Sequence, residues 1–130
     1  MKECIECGKE LKHGKKYCSI DCRIENHYKE NIEKWLTGKI TGHKDSKNRD
    51  LRGFVRRYVY EAYEYKCSIC EFSGINSFSK KTVLQIDHID GNSENSKREN
   101  LRPLCPNCHA MTENYMGLNR GKSTRNGRYK

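Results

Sequence analysis

The chain has 130 residues, with 26 Lys and Arg against 17 Asp and Glu, so its formal net charge at pH 7 is +9. Leu, Ile, Val and Phe make up about 17% of it, below the roughly 20% under which a highly charged chain is usually disordered. This composition excludes a fold held by an apolar core alone, in a chain long enough for one ordinary domain or two very small ones. The eight cysteines are therefore expected to stabilise the fold through metal ions or disulfides.

The N-terminal residues help to decide between metal ions and disulfides. Residues 1–7 are polar and lack the apolar segment of a secretory signal. No stretch approaches the roughly 18 apolar residues of a membrane span, so we expect a cytoplasmic protein without a membrane partner. Thiols in a reducing compartment bind metal more often than they form disulfides. Because an even number of cysteines also suits disulfides, their spacing has to decide.

The first four cysteines form two close pairs, Cys4 with Cys7 and Cys18 with Cys22, ten residues apart. Two such pairs joined by a short loop can converge tetrahedrally on one Zn²⁺. Apolar residues then recur at helical spacing from Ile20 to Leu36, which predicts a helix that packs its apolar side on the zinc site. We therefore predict a zinc module over residues 1–37.

Residues 38–49 lack periodicity and are predicted to be a linker. A second helix is predicted over residues 50–65, where Gly53 costs about 1 kcal/mol relative to Ala. The linker end and this helix carry four arginines, which form a solvated face unless the neighbouring module handles DNA: Arg49, Arg52, Arg56 and Arg57. Residues 119–130 are predicted to be a flexible basic tail. Its cations could follow a phosphate backbone without reading sequence: Arg120, Lys122, Arg125 and Arg128.

A second cluster consists of two CxxC pairs separated by 34 residues. Its members are Cys67, Cys70, Cys105 and Cys108. This spacing predicts a second structural zinc site, with the long insertion folded back so that its ends meet. The insertion is predicted to contain a strand over 83–88, a turn at 90–92 and a returning strand over 100–104. Pro106 is predicted to begin a helix.

The polar residues of this region occur in a characteristic order: Asp87, His88, Asn100 and His109. Together with the flanking CxxC pairs, in the segment QIDHIDGNSENSKRENLRPLCPNCHAMT, they resemble the HNH endonuclease family from Cys67 to about Tyr115. The resemblance implies a ββα-metal core of two strands and a helix around one divalent ion, similar to a treble clef. We therefore expect a small α+β, zinc-stapled protein, with this nuclease domain and its preceding basic helix over residues 50–118.

The resemblance also implies roles for these residues. His88 would activate a water molecule as general base, and Asp87 and His109 would hold a catalytic divalent cation. Asn100 would tether the loop through its amide. Oxygen ligands with one imidazole and several waters suit Mg²⁺ or Mn²⁺ better than Zn²⁺.

Two further residues have alternative interpretations. Some family members carry a second His at the position of Glu113, which on a helix would lie one turn after His109 and could contact the metal. A solvent-facing Glu is at least as well supported. Arg102 could contact the phosphate near the cut, or simply face outward from its strand.

One geometric conflict is visible in the sequence. Neighbouring residues of a regular strand point to opposite faces, so Asp87 and His88 could not both reach one phosphate from within it. We therefore expect the strand to end, bulge or twist at residues 87–89.

These features favour a metal-dependent endonuclease that acts on double-stranded DNA, with two structural zinc ions and one catalytic cation. Two four-thiolate zinc sites would leave a net charge of about +5, which suits a polyanionic partner. The alternative is a non-catalytic zinc-containing nucleic-acid-binding protein, which explains the cysteines and the charge but not Asp87, His88 and His109. One site of this kind cuts one strand, and the chain shows no strong dimerisation signal, so we expect a monomer or weak homodimer. Similarity to free-standing nucleases suggests a bacterial or phage-infected cell.

Overall fold

The structure is a computed structural model that describes residues 2–12, 14–44 and 50–113. The chain divides into two units, Met1–Ile40 and Thr41–Lys130. Within the described residues, no helix has the length and apolar character that a membrane crossing requires. Arg49 and the four basic residues of the predicted tail lie outside the described residues.

The first unit consists of a cysteine-bearing loop and helix α1, Ile20–Leu36. Ser19 begins the helix because its Oγ accepts a hydrogen bond from the Cys22 N–H at 3.2 Å. After the helix ends, Gly38 adopts a φ of 81°, which favours glycine. The prediction of this helix is confirmed.

The apolar stripe of α1 is less well covered than its periodicity predicts. Trp35 is buried, whereas Ile20 and Ile24 are exposed. The helix is instead joined to the cysteine loop by polar contacts, among them an ion pair between Lys29 and Glu6. The expected packing of the whole stripe on the zinc site is therefore wrong.

The second unit is built on an antiparallel hairpin of β1, Gln85–His88, and β2, Leu101–Leu104. The register pairs Asp87 with Arg102. Helix α3, Pro106–Ala110, follows β2 after one residue and packs against both strands, while α2, Gly53–Ala62, packs against β2. A short 3-10 helix over Arg98–Asn100 leads into β2. The strand-strand-helix order of the expected ββα core is confirmed.

The core of this unit is small and contains cysteines. Cys67, Leu84, Leu104 and Cys105 form one buried cluster, and Tyr60 packs against it. The Tyr60 hydroxyl donates a hydrogen bond to the Leu84 carbonyl at 2.9 Å. Leu51, Val55, Val59 and Leu101 are also buried in this unit. Because the apolar core is still small for a unit of this size, the buried cysteines contribute to it.

Helix α2 begins at Gly53, three residues later than predicted. Leu51 instead forms an antiparallel bridge with His43. The Arg52 N–H donates to the Gly42 carbonyl at 2.8 Å, and the Gly42 N–H donates to Ser96 Oγ at 2.8 Å. Residues 41–44, predicted to be part of the linker, are thus hydrogen-bonded into the second unit through contacts that hydrophobic periodicity does not reveal.

Leu104 provides a test of this small core. Its side chain is 0% exposed, so Leu104→Ala should lower the free energy of unfolding by about 2–5 kcal/mol, because it removes buried methyl groups and leaves a cavity. Ile75, which is 70% exposed, is the matched control, and Ile75→Ala should cost about 0.5 kcal/mol or less. Urea unfolding followed by circular dichroism measures both values. Equal costs for the two variants would contradict this description of the core.

Candidate active site and metal centres

The sulfur atoms of the first four cysteines lie close together in the first unit. The ligand atoms of Cys4, Cys7, Cys18 and Cys22 all lie within 4.8 Å of one another. The Cys18 Sγ lies 3.5 Å from that of Cys7 and 3.4 Å from that of Cys22. Tetrahedral zinc, with Zn–S distances of about 2.3 Å, requires sulfur atoms about 3.8 Å apart. The cluster could therefore hold a metal ion with only small shifts of its sulfur atoms.

The second cluster joins the two ends of the long insertion. The ligand atoms of Cys67, Cys70, Cys105 and Cys108 also lie within 4.8 Å of one another, and the Cys70 and Cys105 Sγ atoms are 3.6 Å apart. Cys105 immediately precedes α3, and its Sγ accepts a hydrogen bond from the Cys108 N–H at 3.4 Å. This cluster therefore fixes where α3 begins.

All eight cysteines are free thiols. They are gathered in fours rather than in pairs, which is the arrangement of a structural zinc site and not of a disulfide framework. The spacing argument for metal over disulfides is supported by this geometry.

The acidities of the thiols explain why each cluster suits a cation. The backbone N–H of Cys7 is the main reason that the pKa of Cys4 falls to about 6. By contrast, the neighbouring thiol of Cys18 raises the pKa of Cys22 to about 12. Four thiolates cannot coexist at this distance without a positive charge between them, because each one keeps its neighbours protonated. A divalent ion removes this conflict.

The second cluster likewise contains one thiol with a lowered pKa and one with a raised pKa. Burial raises the pKa of Cys108 to about 12. Burial also opposes ionisation of Cys67, but backbone N–H groups, chiefly those of Cys70 and Cys105, bring its pKa down to about 6. Each cluster therefore contains one thiol with a lowered pKa, Cys4 or Cys67, and one with a strongly raised pKa, Cys22 or Cys108, whose ionisation needs the metal.

The candidate catalytic residues begin at the end of β1. The strand ends at His88, and the chain then turns, with the Gly91 N–H donating to the His88 carbonyl at 2.8 Å. Gly91 adopts a φ of 77°, a conformation that favours glycine. The strand therefore ends within residues 87–89, as predicted, but Asp87 and His88 are both still paired with β2, opposite Arg102 and Leu101.

The side chain of Asn100, which lies in the 3-10 helix before β2, stabilises this turn. It is 7% exposed, and its Oδ1 accepts the Asp90 N–H at 3.0 Å. Its Nδ2 donates to Asp90 Oδ1 at 2.9 Å and to the Asn95 carbonyl at 2.8 Å. The amide thus closes the loop between the strands, because both its oxygen and its nitrogen are used within that loop.

The turn also contains an acidic residue to which the sequence analysis assigned no role. Burial opposes ionisation of Asp90, but hydrogen bonds from Asn95, Asn92 and Asn100 keep its pKa below the ordinary value. Its carboxylate is therefore the acceptor around which the loop is arranged.

His88 has an unusual environment for a titratable side chain. Burial is the main cause of its lowered pKa, although the carboxylates of Asp87 and Asp90 oppose the shift. Its Nε2 is buried and has no hydrogen-bond partner among the described residues. A buried ring nitrogen without a partner is costly and is usually retained where a water, ion or substrate binds. A neutral imidazole with a bare nitrogen is the form that can accept a proton.

Asp87 lies directly across the hairpin from Arg102. The Arg102 Nε donates to Asp87 Oδ2 at 3.1 Å, and the Asp87 side chain is only 9% exposed. The guanidinium therefore orients the carboxylate and leaves its Oδ1 for another partner. In this structure Arg102 contacts the candidate metal ligand, and any contact with phosphate would have to be made by its remaining nitrogens.

His109 lies on α3, next to Cys108 of the zinc cluster, and is half-buried. Because α3 packs against β1, the helix brings His109 to the strand that carries Asp87. One carboxylate and one imidazole, completed by waters and phosphate oxygens, form a donor set that fits Mg²⁺ or Mn²⁺. Among the described residues, groups of three or more neighbouring metal-binding side chains are limited to the two cysteine clusters.

Glu113 does not lie on the helix with His109. Helix α3 ends at Ala110, with Met111 as its C-terminal cap, and Glu113 is exposed. The expectation that Glu113 follows His109 by one helical turn is therefore wrong. No local signal marks this early helix end, because no Gly or Pro follows Ala110 until Gly117.

The arginines near α2 have different environments. Arg52 donates a hydrogen bond from Nε to the His43 carbonyl at 3.2 Å, so its side chain stabilises the backbone of the segment around His43. Arg57 pairs with Glu61 at 2.9 Å, and Arg56 is exposed. Arg49 and the tail residues Arg120, Lys122, Arg125 and Arg128 fall outside the described part of the chain.

Two residues near the candidate site were missed by sequence reasoning. Ser96 is buried, and its Oγ lies 3.3 Å from His43 Nδ1. Electrostatic interaction with His43 also contributes to the lowered pKa of His88. The segment predicted to be a linker thus brings a third histidine near the turn. The sequence analysis missed it because no spacing motif connects His43 with His88, 45 positions later.

A hairpin that ends in Asp-His, followed by a helix anchored at a four-cysteine cluster, is consistent with the ββα core of a nuclease. Comparison with known proteins specifies the family. Residues 67–114 match the family model of the HNH endonuclease and form an HNH endonuclease domain.

Two curated relatives extend beyond this domain. The chain is 34% identical over 103 residues to the H-N-H endonuclease F-TflIV of Escherichia phage T5, a match that covers 78% of this chain and 41% of that protein. It is 27% identical over 110 residues to the type II restriction enzyme NlaIII of Neisseria lactamica, covering 73% of this chain and 46% of that enzyme. The chain thus spans less than half the length of either relative. No solved structure matches it significantly.

Metal analysis tests the two cysteine clusters. We expect two zinc ions per chain, and one in either Cys4→Ser or Cys67→Ser, because each substitution removes a ligand from a different cluster. Ser68→Ala, next to Cys67, is the matched control and should retain two. A strong chelator should abolish the near-ultraviolet circular dichroism, since the apolar core is too small to stand alone. Native spectra in a chain shown to be free of zinc would contradict this assignment.

Proposed function

We propose that this protein is a metal-dependent endonuclease that hydrolyses phosphodiester bonds in double-stranded DNA. The observation that carries the proposal is the bare, buried Nε2 of His88 at the end of the strand that also carries Asp87. The HNH match over residues 67–114 supports it independently. The nuclease domain would occupy residues 50–118, with residues 1–37 as an accessory module and residues 38–49 between them, of which residues 41–44 are hydrogen-bonded into the second unit.

In this proposal His88 is the general base. Its environment keeps the imidazole neutral near pH 7, so Nε2 can take a proton from a water molecule. The oxygen of that water then forms a bond to phosphorus while the bond from phosphorus to the 3′ oxygen breaks. The 3′ oxygen takes up a proton from solvent, which leaves 5′-phosphate and 3′-hydroxyl ends.

Asp87 and His109 would hold the catalytic cation. Mg²⁺ or Mn²⁺, when bound there, would stabilise the negative charge that grows on the phosphate oxygens. Arg102 fixes the orientation of the Asp87 carboxylate across the hairpin, and Asn100 holds the turn that follows His88. Glu113 is exposed beyond the end of α3 and would contact the metal or the phosphate directly or through water.

DNA would be held by basic residues around this site. Arg56 is exposed on α2, and we propose it as a phosphate contact together with Arg49, Arg52, Arg57 and the tail residues Arg120, Lys122, Arg125 and Arg128. Such contacts supply affinity without sequence choice. A monomer with one site would nick one strand, and a weak homodimer could cut both. The phage relative supports action in the cytoplasm of a bacterial or phage-infected cell.

Plasmid nicking tests the role of His88. The zinc-loaded chain should convert supercoiled plasmid to nicked circles when Mg²⁺ or Mn²⁺ is added. His88→Ala should reduce the rate by about 10²–10⁴-fold, the usual contribution of a positioned base. His27→Ala, which removes an exposed histidine of α1, is the matched control and should retain the parent rate.

DNA binding by the same proteins separates the two functions under consideration. If His88→Ala binds DNA like the parent but does not nick it, the catalytic proposal is supported. If the parent binds DNA but is as inert as His88→Ala on several substrates with either cation, the protein is instead a zinc-containing nucleic-acid-binding protein.

A further inference from the structure

The loop between the first CxxC pair and β1 contains a turn that the proposed chemistry does not use. We propose that residues 75–82 form a DNA wedge, in which the Phe78 ring stacks against unpaired or unstacked bases while Lys80 and Lys81 contact flanking phosphates. This inference rests on the proposed function, because it assumes that DNA is the partner. It assigns a contact surface that lies outside the hydrolytic residues.

The turn is a built structure rather than an irregular loop. Ile75 and Thr82 form an antiparallel bridge. Inside this bridge, the Asn76 N–H donates to the Lys81 carbonyl at 2.8 Å, and the Lys80 N–H donates back to the Asn76 carbonyl at 2.8 Å. The Asn76 side chain closes the tip, because its Oδ1 accepts the N–H groups of Phe78 and Ser79 at 2.8 and 3.0 Å. Four hydrogen bonds therefore hold the turn around its tip.

That residue is Phe78, and its side chain lies almost wholly in solvent. It is 95% exposed, whereas Phe72 at the base of the same loop is 50% exposed. The Phe72 ring lies so close to Gly74 that a Cβ there would meet it at 2.8 Å. Phe72 thus packs within the loop, while Phe78 contributes almost nothing to the fold. A lone exposed apolar residue is ordinary, but here the backbone is arranged to hold it away from the protein.

The charge around the ring identifies the partner. Residues 72–86 contain two lysines and no acidic residue, and Lys80 and Lys81 are exposed. An aromatic ring beside two cations suits a ligand that offers flat rings between phosphates. Apolar side chains that insert between base steps unstack and kink duplex DNA, and aromatic rings stack on single-stranded bases of any sequence. A membrane surface is the competing partner for Phe and Lys together, and the experiment below distinguishes it.

The position of the turn along the chain agrees with this role. Thr82 is five residues from Asp87, a span of at most about 18 Å in extended chain. Val83 is anchored on the way by its N–H, which donates to the Gly74 carbonyl at 3.1 Å. The wedge is therefore joined by a short, anchored segment to the strand that ends at His88.

Binding measurements on the full, zinc-loaded chain test the wedge. The probes are a mixed-sequence duplex of about 40 base pairs and the corresponding single strand, without added Mg²⁺ or Mn²⁺. Phe78→Ala should weaken binding by about 10- to 100-fold, the range expected for one lost stacking contact, without changing the dependence on salt. Lys80→Ala and Lys81→Ala should each reduce the slope of log K against log salt by about 0.7–0.9. Lys66→Ala, which removes an exposed lysine paired with Glu64, should leave this slope unchanged.

Phe78→Trp supplies a spectroscopic readout that a merely structural role would not produce. It should bind DNA at least as tightly as the parent, and DNA should quench the emission of the new indole. Parent-like affinity in Phe78→Ala overturns the proposal. So does a Phe78→Trp emission that responds to vesicles of anionic phospholipid but not to DNA. Zinc content and thermal unfolding equal to the parent establish that the variants are folded.

These outcomes are separable from those of the proposed function. Because the measurements need no catalytic cation, a chain that never nicks DNA but binds it through Phe78 would disprove the nuclease and retain the wedge. A chain that nicks and binds DNA equally well with and without Phe78 would retain the nuclease and disprove the wedge.

Discussion

The second unit depends on the meeting of two cysteine pairs that are separated by 34 residues of sequence. Closing a loop of this length is entropically unfavourable, and the apolar core that could offset the cost is small. The Sγ atoms of Cys67, Cys70, Cys105 and Cys108 nevertheless lie within 4.8 Å of one another. A metal ion bound there would hold together both ends of the insertion. The position of the segment between them, including the hairpin, therefore depends on this cluster.

The candidate site combines two neighbouring groups with different environments. Asp87 is buried and is kept in place by the guanidinium of Arg102. His88, its neighbour, is kept neutral chiefly by burial, and its Nε2 is not used by the described protein groups. The carboxylate is held in place, and the neighbouring imidazole has a buried nitrogen that the described protein groups do not use. Both residues are paired with β2, and neighbours in a regular strand face opposite sides, so the turn directly after His88 is the place where the regular alternation stops.

Much of this arrangement could be predicted from the sequence because it is encoded by spacing and by strong local signals. The two cysteine clusters, the helix over Ile20–Leu36 and the order of hairpin and α3 all follow from cysteine intervals, helical periodicity and Pro106. What could not be predicted was decided by tertiary contacts. Gly53 marks the true start of α2 because residues before it pair with the segment around His43, and Ser96 holds that segment through its hydroxyl.

Other discrepancies have the same origin. The apolar stripe of α1 predicts packing that Ile20 and Ile24 do not make, since periodicity identifies a face but not what covers it. Arg102 pairs with Asp87 because of the hairpin register, which no local pattern specifies. Glu113 lies outside the helix because α3 ends after five residues, and the sequence contains no stop signal at that point.

The short length of α3 has a consequence for how HNH domains are constructed. Five residues are too few to form a helix in isolation, yet α3 exists here because the Cys105 sulfur caps its first turn and Cys108 lies within it. The helix that carries His109 thus forms because of sulfur atoms rather than helical propensity. A domain of the same design without those sulfurs would need a longer final helix, or more apolar surface beneath it, to keep that residue on a helix.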